Sequence, residues 1–307
     1  MIQDRPYIPP TANNVTSLKA LLYFVWEREA IRIAKENRYN GDLTDDPILK
    51  KYKFTNIRRK DDRVSKWIID NIILNVGINE NSLWFTLLIA RLINWPPTLQ
   101  YLLNCEENIL LKDPNNFDPK SFSVAIEKFR ETNSKAYSGA YMVYPTKKDV
   151  GSVKSLSLGN HIIKPVLDIA EEVDYILYTE NSIEKFVNIL SNCFGISTFI
   201  AGQVAADLTY CEAPLCDASD LYTYAPIGPG SSKGLNYLFN RKPYATWKQE
   251  DFNDQLQMIN EQIKDELEIT DLTLHDVQNV MCEYSKYTRT LLGEGKPKTM
   301  YKPEESF

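Results

Sequence analysis

Histidine is nearly missing from this chain of 307 residues, which has only His161 and His275. The five cysteines (Cys105, Cys193, Cys211, Cys216 and Cys282) are odd in number and scattered, with no Cys-x-x-Cys pair. These shortages argue against a structural zinc site and against a disulfide framework. No run of about 18 apolar residues occurs, so no membrane span is expected. The start, MIQDRPYIPP, lacks the apolar core of a signal peptide, which predicts an intracellular, cytoplasmic protein. An overall surplus of positive charge is missing too, since the net charge is −6. That argues against indiscriminate nucleic-acid binding but leaves room for a local basic groove. Internal repeats and low-complexity segments are also absent.

What is present is mostly helical signal. Apolar residues make up 43%, enough for a substantial core. Ser17 can cap a helix whose stripe of Leu18, Leu21, Leu22, Val25, Ala30 and Ile33 follows the 3.6 period. A second helix is expected near Asp62, with Val64, Trp67, Ile68, Ile72 and Val76 on one face. A third, over 82–94, is apolar nearly all round and should end before Pro96-Pro97. Residues 112–120 read as a loop, and 140–144 (AYMVY) as a short strand. Helices are predicted over 162–173, 183–191, 197–210, 252–267 and 274–289, the last with a capping box of Thr273 and Asp276. Residues 211–246 show little periodicity, and a segment that long is usually functional. The expectation is an all-α fold over 1–307, one compact domain of two lobes with a boundary near 115–135.

Positive charge is concentrated in one place. Residues 50–67, KKYKFTNIRRKDDRVSKW, hold eight cations against two carboxylates, with Tyr52, Phe54 and Trp67 among them. Cations track phosphates and flat rings stack on bases, although a solvated helix entrance would look the same. Three further segments could carry chemistry. Residues 190–217 read as helix, glycine turn at Gly195, helix, then the carboxylate Asp217; exposed backbone N–H groups of such a turn can hold a phosphate. An ordinary turn between core helices fits the same pattern. GPGSSKGL, 228–235, reads as a loop in which Gly230 and Lys233 could cradle phosphate oxygens, or as a surface turn. It lacks the spacing of a nucleotide-binding Walker A loop. In HDVQNVMCEYSKY, 275–287, Glu283 and Lys286 fall at i, i+3, a spacing more often structural than catalytic. In KAYSGAYMVY, 135–144, the rings of Tyr137 and Tyr141 suit a flipped base or a core.

Taken in order, six blocks resemble one family: FTNIRRKDDRVSKW, ARLINWPPTL, KAYSGAYMV, FGISTFIAGQVAADL, GPGSSKGLN and LHDVQNVMCEYSKYTR. The family is that of alpha-glutamyl/putrescinyl thymine pyrophosphorylase, found largely in phages with hypermodified DNA. Some members are described as amino acid:DNA transferases, and others as helical domains beside a hydroxymethyluracil DNA kinase. Relatives occur among antiviral glycosylases, and the family is related to helix-hairpin-helix DNA glycosylases. The resemblance spans about residues 15–302.

It implies a helix-hairpin-helix-like fold and a base-hypermodifying transferase in the host cytoplasm. The partners would be double-stranded DNA with modified pyrimidines and a small amino acid or amine. A flipped base whose 5-methylene group carries a phosphate or pyrophosphate leaving group would have it displaced by the incoming amino acid or amine. Arg58, Arg59, Arg63 and Lys233 would steady the departing phosphates, and Gly195 and Gly230 would hold the DNA backbone. Asp217 stands where the glycosylases place their catalytic carboxylate, with Asp220 behind it and Asp62 as a further base or an arginine partner. Tyr137 and Tyr141 would sandwich the base, while Asn56 and Gln203 would read its edge. Ser197 replaces the second hairpin glycine, a departure from the glycosylase pattern. No spacing marks a metal site, which leaves open whether Mg²⁺ assists with pyrophosphate. A glycosylase and a non-catalytic module for modified DNA are the competing readings.

Overall fold

The computed structural model describes residues 7–75, 77–78, 80–106, 108–110, 114–139 and 153–302. Among these residues the chain is all-α, with no strand and one isolated antiparallel bridge between Tyr52 and Met300. The expected strand at 140–144 lies outside the described residues. The α-helices, in chain order, are α1 (Leu18–Glu36), α2 (Pro47–Lys51), α3 (Arg63–Ile68), α4 (Glu80–Ile93), α5 (Pro96–Asn104), α6 (Pro119–Thr132), α7 (Lys154–Leu158), α8 (Lys164–Val166), α9 (Ala170–Tyr175), α10 (Ile183–Ser191), α11 (Thr198–Asp207), α12 (Pro229–Leu238), α13 (Gln249–Leu267) and α14 (Leu274–Leu291).

The chain divides into two units, one of residues 1–62 with 222–306 and one of residues 63–221. The crossings fall at 62/63 and 221/222, and the stretch 115–135 lies inside the second unit.

In the first unit α14 is the central element. Its start is fixed by the expected capping box, in which Thr273 Oγ1 accepts from the Asp276 N–H and Asp276 in turn accepts from the Thr273 N–H. Most of its side chains are buried, polar ones included. The apolar stripe of α13 (Phe252, Leu256, Ile259 and Ile263) is fully buried, and α1 and α13 both pack against α14. The most extensive helix pairing is between α12 and α14. Two glycines make that approach close. A Cβ on Gly234 would drive into the Met281 carbonyl, and one on Gly230 into Cys282 Sγ. GPGSSKGL is therefore a helix start rather than a loop, with Pro229 at the first helical position, where its missing N–H costs nothing.

In the second unit α4 is buried on all sides from Ser82 onward, as its nearly all-apolar sequence predicts, and α11 packs across it and against α10. The pair Pro96-Pro97 does more than stop α4. Asn94 turns the chain at φ 47°, and the prolines open α5. The loop expected over 112–120 gives way at Asp118, which caps α6 by accepting from the Ser121 N–H at 2.8 Å. The helix expected over 162–173 is a longer broken run from 154 to 180. Pro165 cannot donate a backbone hydrogen bond, and a π turn precedes it at Gly159–Ile163. Between α10 and α11 the chain reverses through Gly195, at φ 79°, and Ser197 caps α11 on the Ile200 N–H.

Candidate functional site

Two segments more than 200 residues apart meet in the first unit. One is 54–62 of the basic stretch, and the other is the polar side of α14. Arg28, from α1, ties the first segment down. Its guanidinium donates to the carbonyls of Phe54 (3.1 Å) and Thr55 (3.1 and 3.2 Å) and to Asn56 Oδ1. Asn279 on α14 donates to the Asn56 carbonyl at 3.0 Å. Glu283 accepts from the Thr55 N–H at 3.2 Å with one oxygen and from the Lys286 ammonium with the other. Asp276 accepts from the Arg59 N–H at 2.8 Å. Buried polar groups on this scale hold only where donors and acceptors are matched, so 54–62 is a rigid ledge on α14.

Asp62 stands at the end of that ledge. One of its oxygens accepts from the Asn56 N–H at 2.8 Å, and the other has no hydrogen bond among the described residues. Burial pushes its carboxyl up to about 7. The Asn56 N–H and the Arg59 charge oppose that rise, while Glu283 adds to it. A carboxyl near half-ionised at neutral pH is suited to take up and release a proton. Burial would lower the Lys286 ammonium, but Glu283 outweighs it and holds the group above its ordinary value. Behind the ledge, burial and then Arg59 push His275 down to about 3, so its ring is neutral. Among the described residues neither ring nitrogen of His275 has a hydrogen-bond partner.

The other expected site residues fall as follows. Arg58 is held by Asp271 (2.7 and 2.8 Å) and Glu29 (2.7 Å), so three of its donors are occupied inside the protein rather than turned to phosphate. Arg59 is buried. Asn56 also donates to the Asp61 carbonyl at 2.8 Å, so its amide braces the ledge at both ends. Lys233 lies on α12 with its ammonium over the rings of Tyr237 and Tyr244. Gly230 serves the contact between α12 and α14.

The second unit carries the remainder. Arg63 opens α3, and Gln203 is buried on α11. Tyr137 is partly buried, with Lys154 Nζ 4.3 Å from its ring centre, and Tyr141 lies outside the described residues. Asp217 is exposed and accepts from Asn181 Nδ2 at 2.7 Å. Asp220 caps α10, accepting from the N–H groups of Ile183 (2.8 Å) and Glu184 (2.9 Å) and from Ser182 Oγ (2.9 Å). Among the described residues no group of three or more His, Cys, Asp or Glu could hold a metal ion. Among the same residues no helix is long and apolar enough to cross a membrane.

Several residues of the ledge carry no warning in their local pattern. Asn279 reads as a polar position on an amphipathic helix, and Asp276 reads as a helix cap with no sign that it also accepts from the Arg59 N–H. Arg28 does carry a signal: it continues the buried stripe of Leu21, Phe24 and Val25 at helical spacing, where a charge needs a partner.

A helical protein built on these motifs has known relatives. Residues 15–296 match the family described as the helical domain of 5-hmdU DNA kinase, and the chain belongs to that family. It is similar to the 5-hmdU DNA kinase of Bacillus phage SP10, at 26% identity over 261 residues, covering 80% of this chain. The chain spans only about 40% of that relative's length. The kinship with phage thymine hypermodification holds at the level of this helical domain. No solved structure matches the chain.

Proposed function

We propose that the chain acts on DNA carrying modified 5-hydroxymethyluracil, at the 5-methylene carbon of the pyrophosphorylated base. Asp62 takes a proton from an incoming ammonium. The free amine forms a C–N bond as the C–O bond to pyrophosphate breaks, and pyrophosphate leaves with that electron pair. The observation that carries this reading is the convergence of two distant motifs on one half-buried carboxyl poised near neutrality. The glycine-rich stretch at 228–235 forms the start of α12 rather than a phosphate loop, which favours chemistry at the base over phosphoryl transfer by this segment.

DNA containing the pyrophosphorylated form of 5-hydroxymethyluracil, incubated with the protein and mixed amino acids, is the test. Nucleoside mass spectrometry should show a heavier nucleoside in intact strands. Asp62→Asn should lower the rate about 10²–10⁴-fold, the usual contribution of a general base. Alkali-labile breaks would instead mean base excision.

A second reading is that the chain holds modified DNA for a partner's catalytic domain. It is favoured by the family's description as one domain of a larger enzyme and by the 40% coverage. Tight binding with no change in nucleoside mass would establish it in place of the first.

A further inference from the structure

A second constellation of the first unit lies outside the ledge, on the loop between α12 and α13. Asn236, fully buried on α12, organises this loop. Its amide donates to the carbonyls of Pro243 (3.3 Å) and Ala245 (2.8 Å), and its oxygen accepts from Trp247 Nε1 at 2.9 Å. Arg241 Nη2 closes the loop on the Thr246 carbonyl at 2.9 Å. Residues 241–247 are thus pinned at both strands of the turn.

This fixed loop presents rings and cations to solvent. The Arg241 guanidinium lies 3.8 Å from the centre of the Trp247 ring. Tyr244 is 86% exposed, and Lys233 Nζ is 5.2 Å from its ring centre. Lys242 and Lys248 are exposed on either side. Beside them opens a groove of about 640 Å³, walled by Phe239, Arg241, Trp247, Lys248 and Gln255, with Asp251 as the carboxylate of its lining. A large ring held out on an immobilised loop gains nothing for the fold, since it buries almost no area. Cations laid flat beside rings are the chemistry that recognises nucleic acid: charge for phosphates, π faces for bases.

We propose that the loop 240–248 is a DNA-binding element. A strand of DNA lies along the groove with phosphates on Arg241, Lys242 and Lys248, and an unstacked base packs on the Tyr244 ring. The proposal rests on the reading that the chain acts on DNA, and it locates a contact surface away from Asp62. A protein that extrudes a base needs such a ring to stack on or wedge into the gap.

Anisotropy titrations of the full chain with a labelled single strand, and with a duplex bearing one unpaired base, test it. Tyr244→Ala removes an exposed side chain and leaves the fold intact. It should weaken binding about 5–150-fold, the range for losing one stacked base. The double variant Lys242→Ala/Lys248→Ala should reduce the salt slope of log affinity by about 1–2. Unchanged affinity in the first variant together with an unchanged slope in the second would overturn the proposal. That failure is separable from failure at Asp62. The loop is judged by binding to unmodified DNA, and Asp62→Asn by loss of product with binding retained.

Discussion

Each unit encloses charge, and the two do so in opposite ways. In the second unit Arg91 on α4 meets Asp207 on α11 in a two-pronged pair, at 2.5 and 2.6 Å, both residues almost wholly buried. Ser65 Oγ and Asn94 Oδ1 accept from the same guanidinium. The charges are equal in number and matched in shape, the arrangement in which a buried ion pair survives desolvation. In the first unit, three cations and three carboxylates (Arg28, Arg59, Lys286, Asp62, Asp276 and Glu283) share one neighbourhood but are unevenly paired: Glu283 holds Lys286, Arg28 donates to backbone carbonyls, and one oxygen of Asp62 has no hydrogen bond among the described residues. A closed pair locks helices together. An uneven cluster leaves a group that can still gain or lose a proton, and chemistry requires that capacity.

The largest expected effect is in the lock. Arg91→Ala strands Asp207 in the core, and urea unfolding should show a loss of about 3–5 kcal/mol. A loss below 1 kcal/mol would remove the contrast, because the pair would then be no tighter than a surface bridge.

Asp62 should respond with the opposite sign. Its folded carboxyl holds its proton to about pH 7, whereas the unfolded chain releases it near 4. Stability from this group is therefore full below about pH 4 and falls as pH rises through 7. Asp62→Asn keeps the neutral form at every pH. It should match the parent near pH 4 and exceed it by about 2–4 kcal/mol at pH 8, the figure for a three-unit shift discounted for partial exposure. A variant less stable than the parent at pH 8 would make Asp62 an ion-pair partner of Arg28 and Arg59 instead.

Gly234→Ala probes what holds α14 in place beneath the ledge. The added methyl meets backbone rather than a yielding side chain, so a cost of about 1–3 kcal/mol is expected. Chemical-shift changes should spread to Asn279 and Glu283. If they stop at α12, the ledge does not depend on that packing.

Much of this was legible in the chain. The stripes of α1, α4, α13 and α14 were strong enough to read, because long amphipathic or wholly apolar helices declare themselves by period. Four helices with no counterpart in the sequence reading, α2, α5, α6 and α12, each begin at a proline. Proline there breaks the preceding element and starts the next, and the two roles look alike in sequence. For the site, the motifs named the right segments but not the direction of their side chains. The basic run suggests Arg58 on a departing phosphate, and the resemblance suggests Asn56 on a base edge. Both residues face inward because Asp271, Glu29 and the Asp61 carbonyl, distant or unremarkable in sequence, stand within reach. Whether a charge in a basic run points outward is decided by tertiary partners, and a single sequence does not display them.

The two carboxylates that follow the Gly195 turn give the smallest effects and the sharpest separation of roles. Asp220 accepts three hydrogen bonds at the start of α10, two of them from backbone N–H groups that helix geometry leaves unpaired. Asp220→Ala should cost about 1 kcal/mol, the ordinary loss of a helix cap. Asp217 is exposed and, among the described residues, holds Asn181 alone, so Asp217→Asn should change stability by less than about 0.5 kcal/mol. With Asp62 as the base, product formation should survive Asp217→Asn nearly unchanged. Should turnover vanish while stability and DNA binding stay at parental values, the proton acceptor belongs to the second unit. The uneven cluster beside α14 would then be a scaffold, and Asp217 the group that removes the proton.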